Sequence, residues 1–137
     1  MPPFHFAFFV RDLDSTRAFY GAVLGCREGR STESWVDFDF FGNQISAHVT
    51  GPVTPTSDAG VVDGVQVPMP HFGALLQWEE FQRIAGRIRE AWIPFIIEPR
   101  VRYVGQRGEQ MTMFLRDPSG NALEFKCFRH PEHVFTQ

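Results

Sequence analysis

The chain has 137 residues, 43% of them hydrophobic and 21% charged, and this balance excludes a disordered segment or a coiled coil. Its formal net charge of −3 at pH 7 argues against a nucleic-acid partner, which would require an excess of Lys and Arg. With no membrane-length apolar run, no secretory signal and only Cys26 and Cys127 as thiols, we expect a cytoplasmic chain with free cysteines and no membrane partner.

An apolar run over residues 5–10 predicts the first strand, buried on both faces. The helix that follows can be capped by Asp12 or Asp14 and can end at Gly25. Its apolar positions are Ala18, Phe19, Ala22 and Val23.

Two further strands, over residues 35–41 and 44–49, complete the first half, because the Gly42-Asn43 pair between them is a tight hairpin signal. We therefore predict an N-terminal module over residues 1–50. Residues 51–64 are rich in Gly, Pro, Thr, Ser and Asp, a composition typical of a linker.

The second half repeats this order, because residues 71–76 resemble residues 5–10 and again precede an amphipathic helix. Pro94 ends that helix. Its apolar positions are Phe81, Ile84, Ala85, Ile88 and Trp92. The predicted strands span residues 95–97, 111–115 and 122–128, with a polar loop over 99–110 and a tight turn over 117–121. The C-terminal module is therefore expected over residues 65–128, followed by a tail over 129–137 without periodicity.

Three residues on predicted strands carry metal-ligand chemistry. His5 and His71 begin the two equivalent strands, and Glu124 lies on the last strand between apolar neighbours. A buried carboxylate is costly unless it is paired or binds a metal. Two histidines and one carboxylate form a facial triad that suits Fe(II), Mn(II), Ni(II), Co(II) or Zn(II).

The strand over residues 44–49 places Gln44, Ser46 and His48 on one face, because side chains alternate along a strand. This polar face is expected to line the cavity, with Gln44 contacting the substrate. His48 is a candidate fourth ligand, an acid/base catalyst or an ordinary hydrogen-bonding residue.

The predicted loop over residues 99–110 holds a second polar group. Tyr103 could donate a proton or a hydrogen bond, and Arg102 could bind an anionic oxygen of the substrate. The alternative is that these side chains belong to a solvated loop.

The sequence resembles the vicinal oxygen chelate superfamily, which includes glyoxalase I, fosfomycin-resistance proteins, bleomycin-binding proteins and extradiol dioxygenases. The resemblance rests on residues 5–10, on residues 12–20 with Val23-Leu24-Gly25, and on residues 114–124. It implies an α+β fold in which two βαβββ modules with flanking helices pair into a U-shaped, half-open mixed β-barrel around one metal. By motif position it also implies that His5, His71 and Glu124 are the metal ligands, and that the chain forms a homodimer.

The resemblance favours a metal-dependent enzyme with Fe(II) or Mn(II), of the extradiol-dioxygenase type, that acts on a catechol-like small molecule. The extradiol signature ends in Asp-Pro-x-Gly and then Glu, as residues 117–120 and Glu124 do. It has Tyr where this chain has Phe114, which we expect to contact the substrate, and it has an earlier His that is absent here. His48 and Tyr103 would then have to serve as the acid/base groups.

Two alternatives stay open. A glyoxalase-like lyase or isomerase, or a fosfomycin-type transferase, is the first. Glyoxalase I usually adds a second Glu from the first module, and residues 44–48 contain no carboxylate. The other alternative is a bleomycin-resistance type of protein that binds a small molecule without turnover.

Overall fold

The structure of the chain is a computed structural model, which describes residues 2–53, 57–62 and 64–137. The chain divides into two compact units. Unit 1 comprises residues 1–55 and 117–121, and unit 2 comprises residues 56–116 and 122–137. Among the described residues, no helix has the length and apolar composition needed to cross a membrane.

Unit 1 contains one four-stranded sheet of order β1-β4-β3-β2. Strand β1 is parallel to β4, and the other neighbours are antiparallel. In chain order the elements are β1 (His5–Val10), α1 (Leu13–Thr16), a π-helical segment (Arg17–Val23), β2 (Arg27–Ser31), β3 (Trp35–Phe40) and β4 (Asn43–Val49).

The helix of unit 1 begins as predicted, because the Asp12 side chain accepts a hydrogen bond from the Ser15 N–H at 2.7 Å. Its predicted apolar face is partly wrong. Ala18 and Ala22 are exposed, whereas Tyr20 and Leu24 are buried. The segment winds as a π-helix, and its wider turn changes which side chains reach the sheet.

The hairpin between β3 and β4 turns at Phe41 and Gly42, one residue earlier than the predicted Gly42-Asn43 pair. Both residues have positive φ, 52° and 87°, as a type I′ turn requires. Asn43 is the first residue of β4, and its Oδ1 accepts the Phe4 N–H at 2.8 Å. The Asn43 side chain, which suggested a turn, therefore binds the backbone of the residue that precedes β1.

The turn over residues 117–121 belongs to unit 1 and is built around the Asp117 carboxylate. Asp117 Oδ1 accepts the N–H groups of Ser119 and Asn121, at 2.9 Å and 2.8 Å. Its Oδ2 accepts the hydroxyl of the fully buried Tyr20 at 2.9 Å. Burial raises the pKa of Asp117, and burial followed by the Asp117 charge raises the pKa of Tyr20 well above its ordinary value.

Unit 2 contains a sheet of order β7-β10-β9-β8 and a separate β5-β6 hairpin. In chain order the elements are β5 (Ser57–Val62), β6 (Val65–Met69), β7 (His71–Leu75), α2 (Trp78–Glu90), β8 (Phe95–Arg102), β9 (Gln110–Arg116), β10 (Ala122–Phe128) and a 3-10 turn (Pro131–His133). The four-stranded sheet repeats the order and the directions of the unit 1 sheet, with β7 parallel to β10. This repetition confirms the α+β class and the two βαβββ modules.

Two polar stretches contain strands that the sequence reading missed. The predicted linker over residues 51–64 holds β5, which pairs with β6, and the predicted loop over 99–110 is a strand as far as Arg102. No strand was predicted over residues 27–31, where the wholly exposed β2 lies. In each case the partner strand supplies the backbone hydrogen bonds, and local composition does not report that pairing.

Helix α2 buries the predicted side chains Phe81, Ile84, Ala85 and Ile88. Trp92 was predicted on the same face, and this prediction is wrong. The helix ends at Glu90, and Trp92 follows it with a positive φ of 59° and a side chain that is 93% exposed. Both cysteines are buried thiols, as expected.

Candidate functional site

The structure brings two of the predicted ligands together in unit 2. His71 begins β7 and Glu124 lies on the neighbouring strand β10, where it is only 7% exposed. His71 Nε2 lies 3.3 Å from Glu124 Oε1. The parallel register explains this proximity, because it places Glu124 opposite Gly73, two residues beyond His71.

The outer atoms of this pair are already bound. His71 Nδ1 lies 2.9 Å from the Pro68 carbonyl oxygen, which can only accept, so Nδ1 carries the ring proton. The Thr112 hydroxyl donates to Glu124 Oε2 at 2.5 Å. When the His71 ring is neutral, Nε2 and Glu124 Oε1 therefore face each other as two acceptor atoms.

Two acceptors at this distance require a cation between or beside them. A proton on Nε2 would meet the requirement, and so would a divalent metal ion bound by nitrogen and oxygen. The Lys126 ammonium, 3.9 Å from Glu124 Oε1, supplies part of the opposite charge. Ligands whose outer atoms are hydrogen-bonded to a carbonyl and a hydroxyl are typical of metal sites, so these residues fit a divalent transition metal.

Gly73 and Phe114 both lie next to the His71–Glu124 pair. A Cβ atom on Gly73 would collide with the backbone carbonyl of Glu124. The fully buried Phe114 ring packs edge-on against His71, with ring centroids 4.8 Å apart. The absence of a side chain at 73 therefore admits the neighbouring backbone. Substrate contact by Phe114 stays a prediction.

His5, the third predicted ligand, lies in unit 1 at the exposed start of β1. Its Nδ1 atom lies 2.7 Å from Gln44 Oε1, a residue directly opposite in the parallel register. Ser46 and Glu124 occupy equivalent positions in the two sheets, opposite Ala7 and Gly73. In the described parts of the chain, no group of three or more His, Cys, Asp or Glu side chains is placed to hold a metal. The convergence of His5 with the unit 2 pair on one ion stays a prediction.

His48 lies on β4, on the same face as Gln44, and its ring packs at a tilt of 31° beside Trp35 of β3, with ring centroids 6.2 Å apart. The alternation predicted for this strand is confirmed, because Ile45 and Ala47 point into the core. Whether His48 is a ligand, an acid/base catalyst or a hydrogen-bonding residue stays open.

Tyr103 and Arg102 form a preorganised pair at the end of β8. Arg102 Nη2 donates to the Tyr103 hydroxyl at 2.9 Å, and its guanidinium lies 4.9 Å from the ring centroid. The tyrosine oxygen is thus an acceptor there, and its own proton stays available.

The pair lies far along the sheet from Glu124. The register places Arg102 opposite Gln110, and Gln110 opposite Phe128, four residues beyond Glu124. At about 3.3 Å per residue that separation is about 13 Å along the strand. A shared role of Tyr103 and the metal therefore needs a substrate of that length, and it stays a prediction.

The sequence reading did not identify Thr112, Lys126 or Asp37 as site residues. The turn over 117–121 contained a usable signal, because it fixes the β9-β10 register and pairs Thr112 with Lys126, two residues from Glu124. Asp37 pairs with Ser46 across β3 and β4, and its carboxylate accepts from the Ser46 hydroxyl at 2.5 Å.

The family described as Glyoxalase/Bleomycin resistance protein/Dioxygenase superfamily matches residues 3–125. A glyoxalase/bleomycin resistance protein/dioxygenase from Alicyclobacillus acidocaldarius is 32% identical, with a TM-score of 0.77 over 96% of this chain and 95% of that chain.

Two more distant structures show the fold alone. The fosfomycin resistance protein FosX from Listeria monocytogenes is 19% identical, with a TM-score of 0.71 over 94% of this chain and 93% of that chain. A glyoxalase/dioxygenase from Nostoc punctiforme is 20% identical, with a TM-score of 0.69 over 92% and 90% of the two chains. No curated protein sequence matches the chain.

Proposed function

Because the chain belongs to the Glyoxalase/Bleomycin resistance protein/Dioxygenase superfamily, we propose that it is a metal-dependent enzyme acting on a small molecule with two adjacent oxygen atoms. Members of this superfamily typically use a divalent metal.

The single observation that supports the proposal best is the His71–Glu124 pair. His71 Nε2 and Glu124 Oε1 face each other at 3.3 Å, while Pro68 and Thr112 occupy the outer positions. A purely structural histidine would more simply donate a proton to the carboxylate. The Pro68 carbonyl prevents this for the neutral ring, because it takes the one ring proton.

In the proposed site, His71, Glu124 and His5 hold the ion. The bound ion would supply Lewis acidity, polarising substrate oxygens and stabilising negative charge on them. Thr112 orients the Glu124 carboxylate, and Gly73 keeps the two strands close enough for His71 to reach it. Lys126, one-third exposed, adds a positive charge that a substrate anion could also use.

Ring cleavage of a catechol-like substrate, with Fe(II) or Mn(II), is the first reaction to test. His48 is the candidate to move a proton in it, and Tyr103 is a second candidate if the substrate is long. Gln44 and Arg102 are candidate substrate contacts. The supporting features are the Asp-Pro-x-Gly turn followed by Glu124 and the imidazole at position 48.

A lyase, isomerase or transferase reaction is the second candidate. It is favoured by Lys126 beside Glu124 and by the phenyl ring at 114, which cannot donate the proton that a tyrosine would. A hydroxy-ketone or a thiol adduct would be the corresponding substrate class.

The test begins with metal content. The purified chain is dialysed against a chelator, reloaded with Fe(II), Mn(II), Zn(II), Ni(II) or Co(II), and assayed for bound metal by mass spectrometry. We expect one ion per chain in the wild type and loss of binding in Glu124→Gln and His71→Gln. Failure of every metal to bind the wild type would favour small-molecule binding without turnover.

Turnover then separates the two enzymatic candidates. Oxygen uptake across a catechol panel with the Fe(II) or Mn(II) form would support ring cleavage. Consumption of hydroxy-ketones or thiol adducts without oxygen uptake would instead support the second candidate. A homodimer and a cytoplasmic location stay expectations, which sedimentation and cell fractionation would test.

A further inference from the structure

Four polar side chains of unit 1 form a hydrogen-bonded chain across β3, β4 and β1. The Ser46 hydroxyl donates to Asp37 Oδ1 at 2.5 Å, and Gln44 Nε2 donates to Asp37 Oδ2 at 3.4 Å. Gln44 Oε1 lies 2.7 Å from His5 Nδ1. The sheet register creates the chain, because Ser46 is opposite Asp37 and Gln44 is opposite His5.

When the His5 ring is neutral, the donors and acceptors of these hydrogen bonds can be assigned in only one way. The Asp37 carboxylate can only accept, so it orients the Gln44 amide with the NH₂ group toward itself. The amide oxygen then faces His5, and that oxygen can also only accept. The His5 proton is therefore on Nδ1, and the free lone pair is on Nε2.

From this geometry we infer that Asp37 and Gln44 are positioning residues, which hold His5 in the tautomer whose Nε2 atom can bind a metal. The inference rests on the proposed function in one respect, that His5 is a ligand. The tautomer itself follows from the contacts within unit 1 and needs no metal.

The equivalent histidine of unit 2 reaches the same tautomer by a different route. His71 donates its Nδ1 proton to the Pro68 carbonyl at 2.9 Å. Two histidines at equivalent strand positions thus present the same nitrogen, one through a backbone carbonyl and one through an amide anchored by a carboxylate. Hydrogen bonding of the distal imidazole N–H is the usual way to orient a metal-bound histidine and raise its basicity.

The decisive variant is Asp37→Asn. The Ser46 hydroxyl donates to Asp37 in the wild type, and an amide at 37 that keeps this hydrogen bond offers its oxygen to Ser46 and turns its NH₂ group toward Gln44. Gln44 would then flip, present its own NH₂ group to His5, and force the ring proton onto Nε2. We expect long-range ¹H–¹⁵N correlation spectra of the metal-free protein, recorded well above the ordinary imidazole pKa, to show the Nδ1–H form in the wild type and the Nε2–H form in Asp37→Asn.

A second readout is the affinity for Mn(II), measured by calorimetry. We expect Asp37→Asn and Gln44→Leu each to weaken binding by about 10- to 100-fold, the usual effect of removing a residue that orients a metal ligand. Gln44 and His5 are exposed, so the lower end of that range is expected for Gln44→Leu. Asp39→Asn, two residues along β3, is the matched control, because its amide oxygen can still accept the Gly42 N–H that Asp39 accepts at 2.8 Å.

The double variant Asp37→Asn/Gln44→Glu provides a rescue. It exchanges the amide and the carboxylate, so that the amide at 37 accepts from Ser46 and donates to the carboxylate at 44. That carboxylate again accepts from His5 Nδ1. We expect the double variant to restore the Nδ1–H form and to recover Mn(II) affinity to within about threefold of the wild type, well inside the loss expected for the single variant.

An Nε2–H ring in the wild type, or an unchanged tautomer in Asp37→Asn, would overturn the inference. So would a Mn(II) affinity in Gln44→Leu equal to that of Asp39→Asn. If the wild type binds no metal, the proposed function fails, and the tautomer spectra alone then decide whether Asp37 and Gln44 position His5.

Discussion

At the scale of single residues, Gly73 shows how one missing side chain shapes the site. It lies opposite Glu124, and a Cβ atom there would meet the Glu124 backbone carbonyl. Backbone cannot move aside as a flexible side chain can, so β7 and β10 would have to separate. That separation would move apart His71 Nε2 and Glu124 Oε1, the two atoms that would bind the proposed metal.

We predict that Gly73→Ala destabilises the fold by about 2 kcal/mol, within the range for overpacked sites, and weakens Mn(II) binding. Urea unfolding and calorimetry measure the two effects. Gly86→Ala is the matched control, because a Cβ atom there meets nothing and alanine favours the interior of α2. A Gly73→Ala variant as stable as the Gly86→Ala control would contradict the close approach.

The buried Asp117 carboxyl makes the free energy of unfolding depend on pH, and the direction of its pKa shift gives the sign of that dependence. Burial raises its pKa above the ordinary value of 3.8, although its hydrogen bonds act in the opposite direction. The folded chain therefore binds this proton more tightly than the unfolded chain does. The resulting stability is present below pH 3.8 and is lost as the pH rises through the raised pKa.

We predict that the free energy of unfolding of the wild type, relative to Asp117→Asn, falls as the pH rises from the ordinary aspartate pKa through the raised one. Urea unfolding at a series of pH values measures it. Asp14→Asn, which removes an exposed carboxylate from the same unit, controls for net charge. Parallel profiles for the wild type and Asp117→Asn would show that burial does not perturb Asp117.

At the scale of elements, α2 has favourable charges at both ends and an unfavourable residue just beyond it. Glu79 and Glu80 lie in its first turn, and Arg87 and Arg89 in its last. The Ile93 N–H bonds to the Ile88 carbonyl at 3.2 Å, which closes the helix with a Schellman motif. The left-handed position in this motif favours glycine, and here it is occupied by Trp92.

We predict that Trp92→Gly stabilises the chain by about 1 kcal/mol, because the left-handed conformation costs a residue with a side chain about that much. The indole is 93% exposed, so little packing is lost. Thermal and urea unfolding measure the gain. Trp92→Ala removes the indole without relieving the backbone and should gain nothing, whereas equal gains in both variants would point to the ring instead.

At the scale of the whole molecule, the compact units do not follow the predicted module boundaries. Unit 1 takes in residues 117–121, which the sequence order placed in the C-terminal module. These residues give Tyr20 its hydrogen-bond acceptor and bind the Arg11 N–H through the Ser119 hydroxyl at 2.9 Å. Asn121 Nδ2 also donates to the Phe9 carbonyl at 2.9 Å.

We predict that a fragment of residues 1–50 does not melt cooperatively, because the fully buried Tyr20 hydroxyl would lose its partner and the β1 end would lose its hydrogen bonds. Far-UV circular dichroism with heating measures this, with the full chain as the reference. A sharp, reversible transition in the fragment would show that residues 117–121 are dispensable for unit 1.

What the sequence determined by itself is the repeated order of elements and the candidate ligands. Apolar runs, the caps at Asp12 and Gly25, and the face of α2 all follow from local patterns, because burial and backbone geometry select residue types at short range.

Only the tertiary structure decided the contacts that give these ligands their chemistry. Thr112 on Glu124, the Pro68 carbonyl on His71 and the Asp37-Gln44 chain on His5 all join positions that are brought together by strand pairing or by a reversal of the chain. Strand β5, the end of β8 and the turn at Phe41-Gly42 were not predicted either, because they too depend on contacts between positions that are distant in sequence. Apart from a tight turn that fixes the register, as at residues 117–121, a hydrogen-bond partner across a sheet leaves no local trace in sequence, because the energy that selects it belongs to the pair rather than to either residue.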